Sequence, residues 1–257
     1  MLKLVNTLII LFLMAPLVAV IGSSITTSNF PTFPPEGATL KWYAKVLNEP
    51  AFTDAMLRSL ALGLASASIA GLLGTLAAVG LTRLRGRTQQ SLTTVILSPI
   101  LLPTVVLGLA LLIFYNRIGL QGTFAGLVAA HVLLTTPFVV RLAMASLSDF
   151  DISMEEAARN LGAGPVRAFV QITLPQILPG VIAGVIFAFI LSFDELVVTL
   201  FLAGPEMQTL PIRIYTFLEY QSEPTISAVA SIIILIWMAL GLPLYARLTG
   251  AKKGPSA

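Results

Sequence analysis

Two neighbouring carboxylates, Asp194 and Glu195, stand in a stretch of sequence that is otherwise apolar. The segment LSFDELVV follows the uncharged run 168–193 and continues into LVVTLFLAG. In a membrane span, a carboxylate is costly unless it faces water, a cavity or a partner, so such acids indicate a functional site. With Ser192, the two acids form a group that would attract a cation, and we predict that these three residues lie on a substrate pathway. The alternative is that the span ends here and that both acids lie at the depth of the lipid headgroups.

The segment 155–175, EEAARNLGAGPVRAFVQITLP, is a charged, glycine-containing loop between two of the most apolar parts of the chain. Ser153 and Glu156 have the spacing of a capping box, which predicts a helix that begins at Met154. Gly162 can take the positive φ that ends a helix, and Pro165 can open a second one. Apolar residues recur on one face of the first helix, namely Met154, Ala157, Ala158 and Leu161. Polar residues fill its other side, namely Glu155, Glu156, Arg159 and Asn160.

This elbow of two short helices has the chemistry of a docking element. Its apolar stripe is narrow and half alanine, and carboxylates flank it, which favours insertion into a groove of another protein. The alternative is a helix that lies flat on the lipid surface. A helix of that kind normally has a broad apolar face with flanking Lys and Arg, and an anionic leaflet would repel the carboxylates.

The composition shows what kind of scaffold must hold these residues. Of the 257 residues, 56% are hydrophobic and only 11% are charged, and the mean hydropathy is +0.92. A soluble domain carries about 25% charged residues. Several uncharged runs reach the roughly 20 residues that cross a hydrocarbon core, where backbone groups must bond internally and therefore form helices. The chain is predicted to be an all-α, polytopic membrane protein.

We predict six transmembrane helices, at about 4–25, 57–82, 92–115, 122–147, 178–202 and 225–248. Lys and Arg in the connecting segments are about twice as numerous on the side of the N-terminus, which predicts that both termini are cytoplasmic. The first span is expected to be a retained anchor and not a cleaved signal. The second, rich in Gly, Ala and Ser, is expected to pack closely. Pro99 and Pro103 are expected to bend or break the third.

Two further features limit the chemistry. The chain has no cysteine, which excludes disulfides and thiol metal sites, and its lone histidine, His131, cannot supply a metal cluster. We therefore expect no metal site and a structural role for His131. The net charge of +3 fits the asymmetry of loops in a membrane protein better than affinity for nucleic acid.

The elbow also carries a motif with seven fixed residues, namely Glu156, Ala157, Ala158, Gly162, Ile172, Leu174 and Pro175. The chain thereby resembles the permeases of binding-protein-dependent ABC importers, whose EAA motif it matches at every fixed position, over about 53–248. The segments LNEPAFTDAMLRSLALG, SFDELVVTLFLAGP and LPIRIY look like those of polyamine-type (spermidine/putrescine) permeases. One departure is Ile100, where some polyamine permeases carry an acid. An amino-acid-like compound, another organic cation or an oxyanion therefore stays open as the substrate.

The resemblance implies a type I ABC importer permease (MetI-like) fold with three parts: an N-terminal anchor and periplasmic segment at 1–52, a permease domain at 53–248 with its coupling loop at 149–175, and a cytoplasmic tail at 249–257. It further implies that Glu156 contacts an ATPase, that Ala157 and Ala158 permit close approach, and that Gly162 forms the turn. Arg159 and Leu161 complete this coupling surface.

The implied partners are a cytoplasmic ABC ATPase dimer, a second homologous permease, a periplasmic substrate-binding protein and the lipid of a bacterial inner membrane. Resemblance to the polyamine type favours a heteromeric permease pair. The sequence contains no G-x-x-x-x-G-K-[ST] loop, so we expect no enzymatic activity and no cofactor in this chain, with ATP and magnesium held by the partner. The alternatives from other classes are a secondary transporter and a membrane scaffold.

Trp42, in the outer segment LKWYAKVL, is the last candidate. This segment is predicted to form a short helix on the outer surface. By resemblance, Trp42 touches the binding protein or the entering substrate. An anchor at headgroup depth explains an interfacial tryptophan equally well.

Overall fold

A computed structural model describes residues 2–148 and 150–250, and these residues contain helices and no strands. The helices are α1 Leu2–Ser24, α2 Lys41–Asn48, α3 Pro50–Arg83, α4 Gly86–Leu97, α5 Thr104–Ile118, α6 Phe124–Ser148, α7 Ile152–Asn160, α8 Pro165–Ala168, α9 Leu174–Asp194, α10 Val197–Leu202, α11 Leu210–Tyr220 and α12 Thr225–Gly250. Asp149, in the predicted coupling loop, and 251–257, in the predicted tail, lie outside the described residues.

The chain divides into two compact units. The central unit is Ala55–Ile212, and the terminal unit combines the chain up to Asp54 with the chain from Arg213 onward. In the terminal unit, α1 and α2 both pack against α12. In the central unit, the closest partners are α6 with α9 and α5 with α10.

Within the described ranges, four helices are long and apolar enough to cross a membrane: Leu2–Ser24, Pro50–Arg83, Phe124–Ser148 and the continuous Pro165–Asp194. The bent pair of helical stretches, Gly86–Leu101 and Thr104–Ile118, would make a fifth span if the two are counted as one. The helix α12 begins with a shorter apolar stretch, Thr225–Ala239. The apolar runs therefore do form helices, as their composition predicts.

The third predicted span, 92–115, is broken as its prolines predict. The helical stretches Gly86–Leu101 and Thr104–Ile118 meet at an angle of 100°. Leu102 is extended, with ψ near 133°, and Pro103 is the N-cap of α5, which begins at Thr104. A residue that precedes proline is pushed out of the helical region, which explains why the break lies there.

The fifth predicted span, 178–202, is wrong in its bounds. The helix extends back to Pro165, includes a π-helical turn at Phe169–Thr173, and ends at Asp194. Glu195 is extended, and its carboxylate Oε1 accepts a hydrogen bond from the Val198 backbone N–H at 2.9 Å. This side chain caps α10 and stabilises a new helix start inside an apolar sequence.

Small residues bring α6 and α9 into close contact. Gly180, Gly184, Ala188 and Ser192 recur at every fourth position of α9 and so share one ridge. A Cβ at Gly180 would lie 2.8 Å from the Leu142 carbonyl oxygen, and one at Gly184 would lie 3.0 Å from the Val139 Cα. The predicted close packing of the second span is also confirmed, because Gly71 and Gly74 of α3 abut Val185 and Val139.

Candidate functional site

The elbow forms as two short helices, α7 and α8, with a turn between them. The prediction that Ser153 caps a helix beginning at Met154 is wrong, because α7 begins two residues earlier, at Ile152. Its N-cap is Asp151, whose carboxylate accepts a hydrogen bond from the Ser153 N–H at 3.0 Å. This bond favours the ionised form and lowers the pKa of the Asp151 carboxyl below its ordinary value. Gly162 has φ of +90°, and Pro165 opens α8, as predicted.

The residues that the EAA motif places on the coupling surface lie together and face outward. Glu156, Ala157, Arg159 and Gly162 are exposed, Ala158 is half-buried, and Leu161 is 90% exposed. A shallow concavity runs across the turn and is lined by Glu156, Arg159, Asn160, Ala163 and Pro165. The elbow thus offers one small, charged and partly apolar surface.

Glu155 does not share this surface, contrary to the prediction that it lies on the exposed polar side of the helix. It is only 6% exposed. Both of its carboxylate oxygens contact Arg83 Nη2, at 2.9 and 3.2 Å, and Oε2 also accepts a hydrogen bond from the Thr173 hydroxyl at 2.7 Å. Adjacent helical residues point about 100° apart, so two neighbouring glutamates can differ in burial. The spacing does not show which of the two turns inward, because that depends on Arg83 and Thr173, which lie far away in sequence.

A cavity of about 140 Å³ lies in the central unit beside the break between α9 and α10. Its lining comprises Pro99, Ile100, Leu102, Thr104, His131, Leu134, Thr135, Phe138, Leu191, Ser192 and Glu195. Two of the predicted pathway residues, Ser192 and Glu195, therefore meet at one site. Asp194 is exposed and is not among the lining residues.

His131 joins the two sides of this helix break. The imidazole is 1% exposed, its Nδ1 lies 2.7 Å from the Ser192 hydroxyl, and its Nε2 lies 3.0 Å from the Thr199 hydroxyl. The Thr199 hydroxyl also donates to the Glu195 carbonyl oxygen at 2.8 Å. A neutral imidazole offers one donor and one acceptor, and hydroxyls can complement both. His131 thus fixes α6 to the end of α9 and the start of α10.

Trp42 belongs to the terminal unit, in the predicted short helix, which forms as α2. Its side chain is 6% exposed, and the indole Nε1 donates to the Thr26 carbonyl oxygen at 2.8 Å. The Lys41 ammonium lies 4.4 Å from the centre of the indole ring. The indole is thus held inside its own unit, and its contact with substrate or binding protein stays a prediction.

Comparison with known proteins places this geometry in a family. Residues 70–250 match the family model described as "Binding-protein-dependent transport system inner membrane component". The chain is 32% identical over 234 residues to the spermidine/putrescine transport system permease protein PotC of Escherichia coli (strain K12), covering 91% of this chain and 88% of that protein. It is 35% identical over 230 residues to the putrescine transport system permease protein PotI of the same strain, covering 87% and 82%.

The fold matches as well. The crystal structure of a bacterial ABC transporter involved in the import of the acidic polysaccharide alginate contains a chain that is similar with a TM-score of 0.71. The match covers 98% of this chain and 95% of that one at 15% identity. The fold is therefore the MetI-like fold of ABC importer permeases. The chain belongs to the family of binding-protein-dependent transport system inner membrane components, and it is the permease subunit of an ABC importer in the inner membrane.

Proposed function

We propose that this permease carries an organic cation of the polyamine type, and that the cavity beside Glu195 receives an ammonium group on its way through the membrane. The observation that supports the proposal is the charge of the lining. Among the described residues that line the cavity, Glu195 carries a carboxylate and none is Lys or Arg. A carboxylate in an apolar surround attracts a cation and repels an anion.

The rest of the lining also suits an alkylamine. Ser192 and Thr135 supply hydroxyl oxygens, and Leu134, Phe138 and Leu191 supply apolar surface for methylene groups. Because Glu195 Oε1 already accepts the Val198 N–H, the second carboxylate oxygen is the one that would face an ammonium. An aromatic ring such as Phe138 adds an attraction for a cation over its face.

The size of the cavity suits part of such a substrate. Its volume is about 140 Å³, which accommodates an ammonium group together with the methylene groups attached to it. The relatives PotC and PotI, named for spermidine and putrescine transport, support the same substrate class. An amino-acid-like compound or an oxyanion is the competing substrate.

The elbow completes the proposed mechanism. We place the motif on the cytoplasmic side of a six-span chain whose termini are both cytoplasmic, with the exposed surface of Glu156, Ala157, Ala158, Arg159 and Leu161 in a groove of an ABC ATPase dimer. Gly162 sets the angle between the helices. ATP and magnesium bind to that dimer and not to this chain, and closure of the dimer tilts the spans between inward-open and outward-open states.

A second, homologous permease completes the pathway as a heteromeric pair, and a periplasmic binding protein delivers the substrate. The description of the family as binding-protein-dependent supports the last of these partners.

The experiment is uptake into vesicles that hold the whole transporter. Radiolabelled putrescine, spermidine and molybdate are supplied separately with binding protein, with and without ATP. We expect ATP-dependent uptake of the amines and none of molybdate. Glu195→Gln should lower amine uptake by about tenfold or more, because a charge-assisted bond is lost.

Asp194→Asn is the matched control, since it removes the neighbouring charge without changing the cavity. It should alter uptake by less than about twofold, as expected for an exposed charge. Uptake of molybdate in preference to the amines would overturn the cation assignment. Equal losses in Glu195→Gln and Asp194→Asn would overturn the role of the cavity.

A further inference from the structure

We infer that Glu155 transmits the movement of the elbow to the membrane spans, and that Glu156 only docks the elbow to its partner. The inference rests on the proposed coupling function of the elbow. The two residues are neighbours in sequence, yet one is buried against the body of the central unit and the other is exposed. A force applied to the exposed surface must pass through the buried contacts of α7 to reach the spans.

Glu155 supplies those contacts to two different spans at once. Arg83 is the last residue of α3, a candidate span of 34 residues. Thr173 closes the π-helical turn in the helix that runs from Pro165 to Asp194. The carboxylate of Glu155 thus ties the elbow to the ends of both helices through the Arg83 ion pair and the Thr173 hydrogen bond.

The electrostatics of the helix ends strengthen this connection. A cation at the C-terminus of a helix and an anion in its first turn both interact favourably with the helix dipole. Arg83 occupies the last turn of α3, and Glu155 occupies the first turn of α7. The ion pair therefore joins the C-terminus of α3 to the N-terminus of α7, and the dipole of each helix favours the charge that lies at that end.

The burial of the carboxylate makes the connection stiff. The Glu155 side chain is 7% exposed, whereas that of Arg83 is 45% exposed. A buried carboxylate that loses its cation is left uncompensated, so α7 cannot shift away from Arg83 without a large cost. The hydrogen bond from the Thr173 hydroxyl to the same carboxylate ties α7 to the π-helical turn, a distortion that is frequent at functional sites. Movement of α7 would therefore displace α3 and the π-helical turn together.

The test measures how much substrate moves for each ATP hydrolysed, in vesicles that hold the complete transporter. A variant that merely folds poorly lowers uptake and hydrolysis together and leaves their ratio unchanged. We expect Glu155→Gln to assemble and to hydrolyse ATP, but to lower the ratio by on the order of tenfold, within the range of typical coupling energies.

Three further variants make the result specific. Glu156→Gln, the matched control, should lower uptake and hydrolysis in parallel, since it acts on docking alone. Thr173→Val removes one of the hydrogen bonds with little change in volume and should lower the ratio less than Glu155→Gln does. Arg83→Gln combined with Glu155→Gln should be no worse than the worse single variant, because both remove one interaction.

An unchanged ratio in both Glu155→Gln and Thr173→Val would overturn the inference, as would a lowered ratio in Glu156→Gln alone. If the Glu155→Gln transporter does not assemble, the ratio is measured in Thr173→Val and Arg83→Gln instead. An unchanged ratio in both of these variants would then overturn the inference. Absence of ATP-dependent uptake in the unsubstituted transporter would instead refute the proposed function, so the two failures are distinguishable.

Discussion

His131 Nδ1 lies 2.7 Å from the hydroxyl oxygen of Ser192, at the last helical turn before the break between α9 and α10. The other ring nitrogen contacts Thr199 beyond the break. A helix that stops inside an apolar sequence exposes backbone groups that a continuous helix would satisfy. The imidazole stabilises the break because it fixes hydroxyl groups on both of its sides.

We therefore predict that His131→Leu destabilises the protein. The substitution leaves the buried Ser192 hydroxyl without its imidazole partner, which costs about 1–3 kcal/mol. The Thr199 hydroxyl loses the imidazole but keeps its bond to the Glu195 carbonyl oxygen. His131→Gln, which keeps a donor and an acceptor, should lose less. Thermal unfolding in detergent measures the difference. A His131→Leu protein that unfolds at the same temperature as the unsubstituted protein would contradict the role of the histidine.

A second prediction concerns the close approach of α6 and α9. A Cβ at Gly180 would clash with Ser146 Oγ and would lie 2.8 Å from the Leu142 carbonyl oxygen. Gly180→Ala should therefore destabilise the protein by about 1–3 kcal/mol, as overpacking does. Gly80→Ala is the matched control, because this glycine also lies inside a helix but, among the described residues, no atom lies within 4 Å of its would-be Cβ.

The control variant is expected to change the melting temperature in the opposite direction to Gly180→Ala. Alanine is favoured over glycine inside a helix by up to about 1 kcal/mol, so Gly80→Ala should raise the melting temperature. Ser146→Ala should recover part of the loss in Gly180→Ala, but not all of it, because the Leu142 carbonyl oxygen stays in place. Similar melting temperatures for the two alanine variants would show that the helices separate freely at this point.

The features that sequence predicts correctly here are those with local causes. The break near Pro103 follows from the proline itself, and the turn at Gly162 follows from its freedom to adopt positive φ. The spans follow from the absence of charges over long runs. Each of these signals lies within a few residues of the structure that it predicts.

The missed features depend on residues far apart in sequence. The burial of Glu155 is set by Arg83, 72 residues away, and the bridge made by His131 joins residues separated by 61 and 68 positions. The apolar stripe of α7 gave no hint of an acidic side chain turned inward. The end of α9 at Asp194 matches the alternative in which the span stops at the two acids, but the residues after them are as apolar as those before and favour a continuous span.

A third prediction concerns pH and the ion pair of Lys45 with Glu223 in the terminal unit. The hydrogen bond from the Lys45 ammonium lowers the pKa of the Glu223 carboxyl from its ordinary value of 4.5, with smaller help from the Thr225 hydroxyl and the Lys41 charge. Because the folded pKa is the lower one, this pair contributes its full stabilisation above pH 4.5 and loses it as the pH falls through the folded pKa.

Glu223→Gln should therefore melt at a lower temperature than the unsubstituted protein at neutral pH, and the gap should close in acid below pH 4.5. Unfolding followed at several pH values in detergent gives the comparison. Glu219→Gln, on the neighbouring helix α11, controls for general changes in charge. A gap of constant size down to the lowest pH would mean that the ion pair does not set the stability difference.

The last prediction is that replacing Arg213 by lysine lowers the stability of the protein. Its guanidinium pairs with the Glu49 carboxylate and lies over two rings, 4.9 Å from Phe52 and 5.9 Å from Phe217. Lysine keeps the charge but lacks the planar group that stacks on aromatic faces, so Arg213→Lys should lose about 1–2 kcal/mol. Arg117→Lys, at an exposed position at the end of α5, is the matched control and should be neutral in thermal unfolding. If both variants unfold at the temperature of the unsubstituted protein, charge alone holds this cluster together.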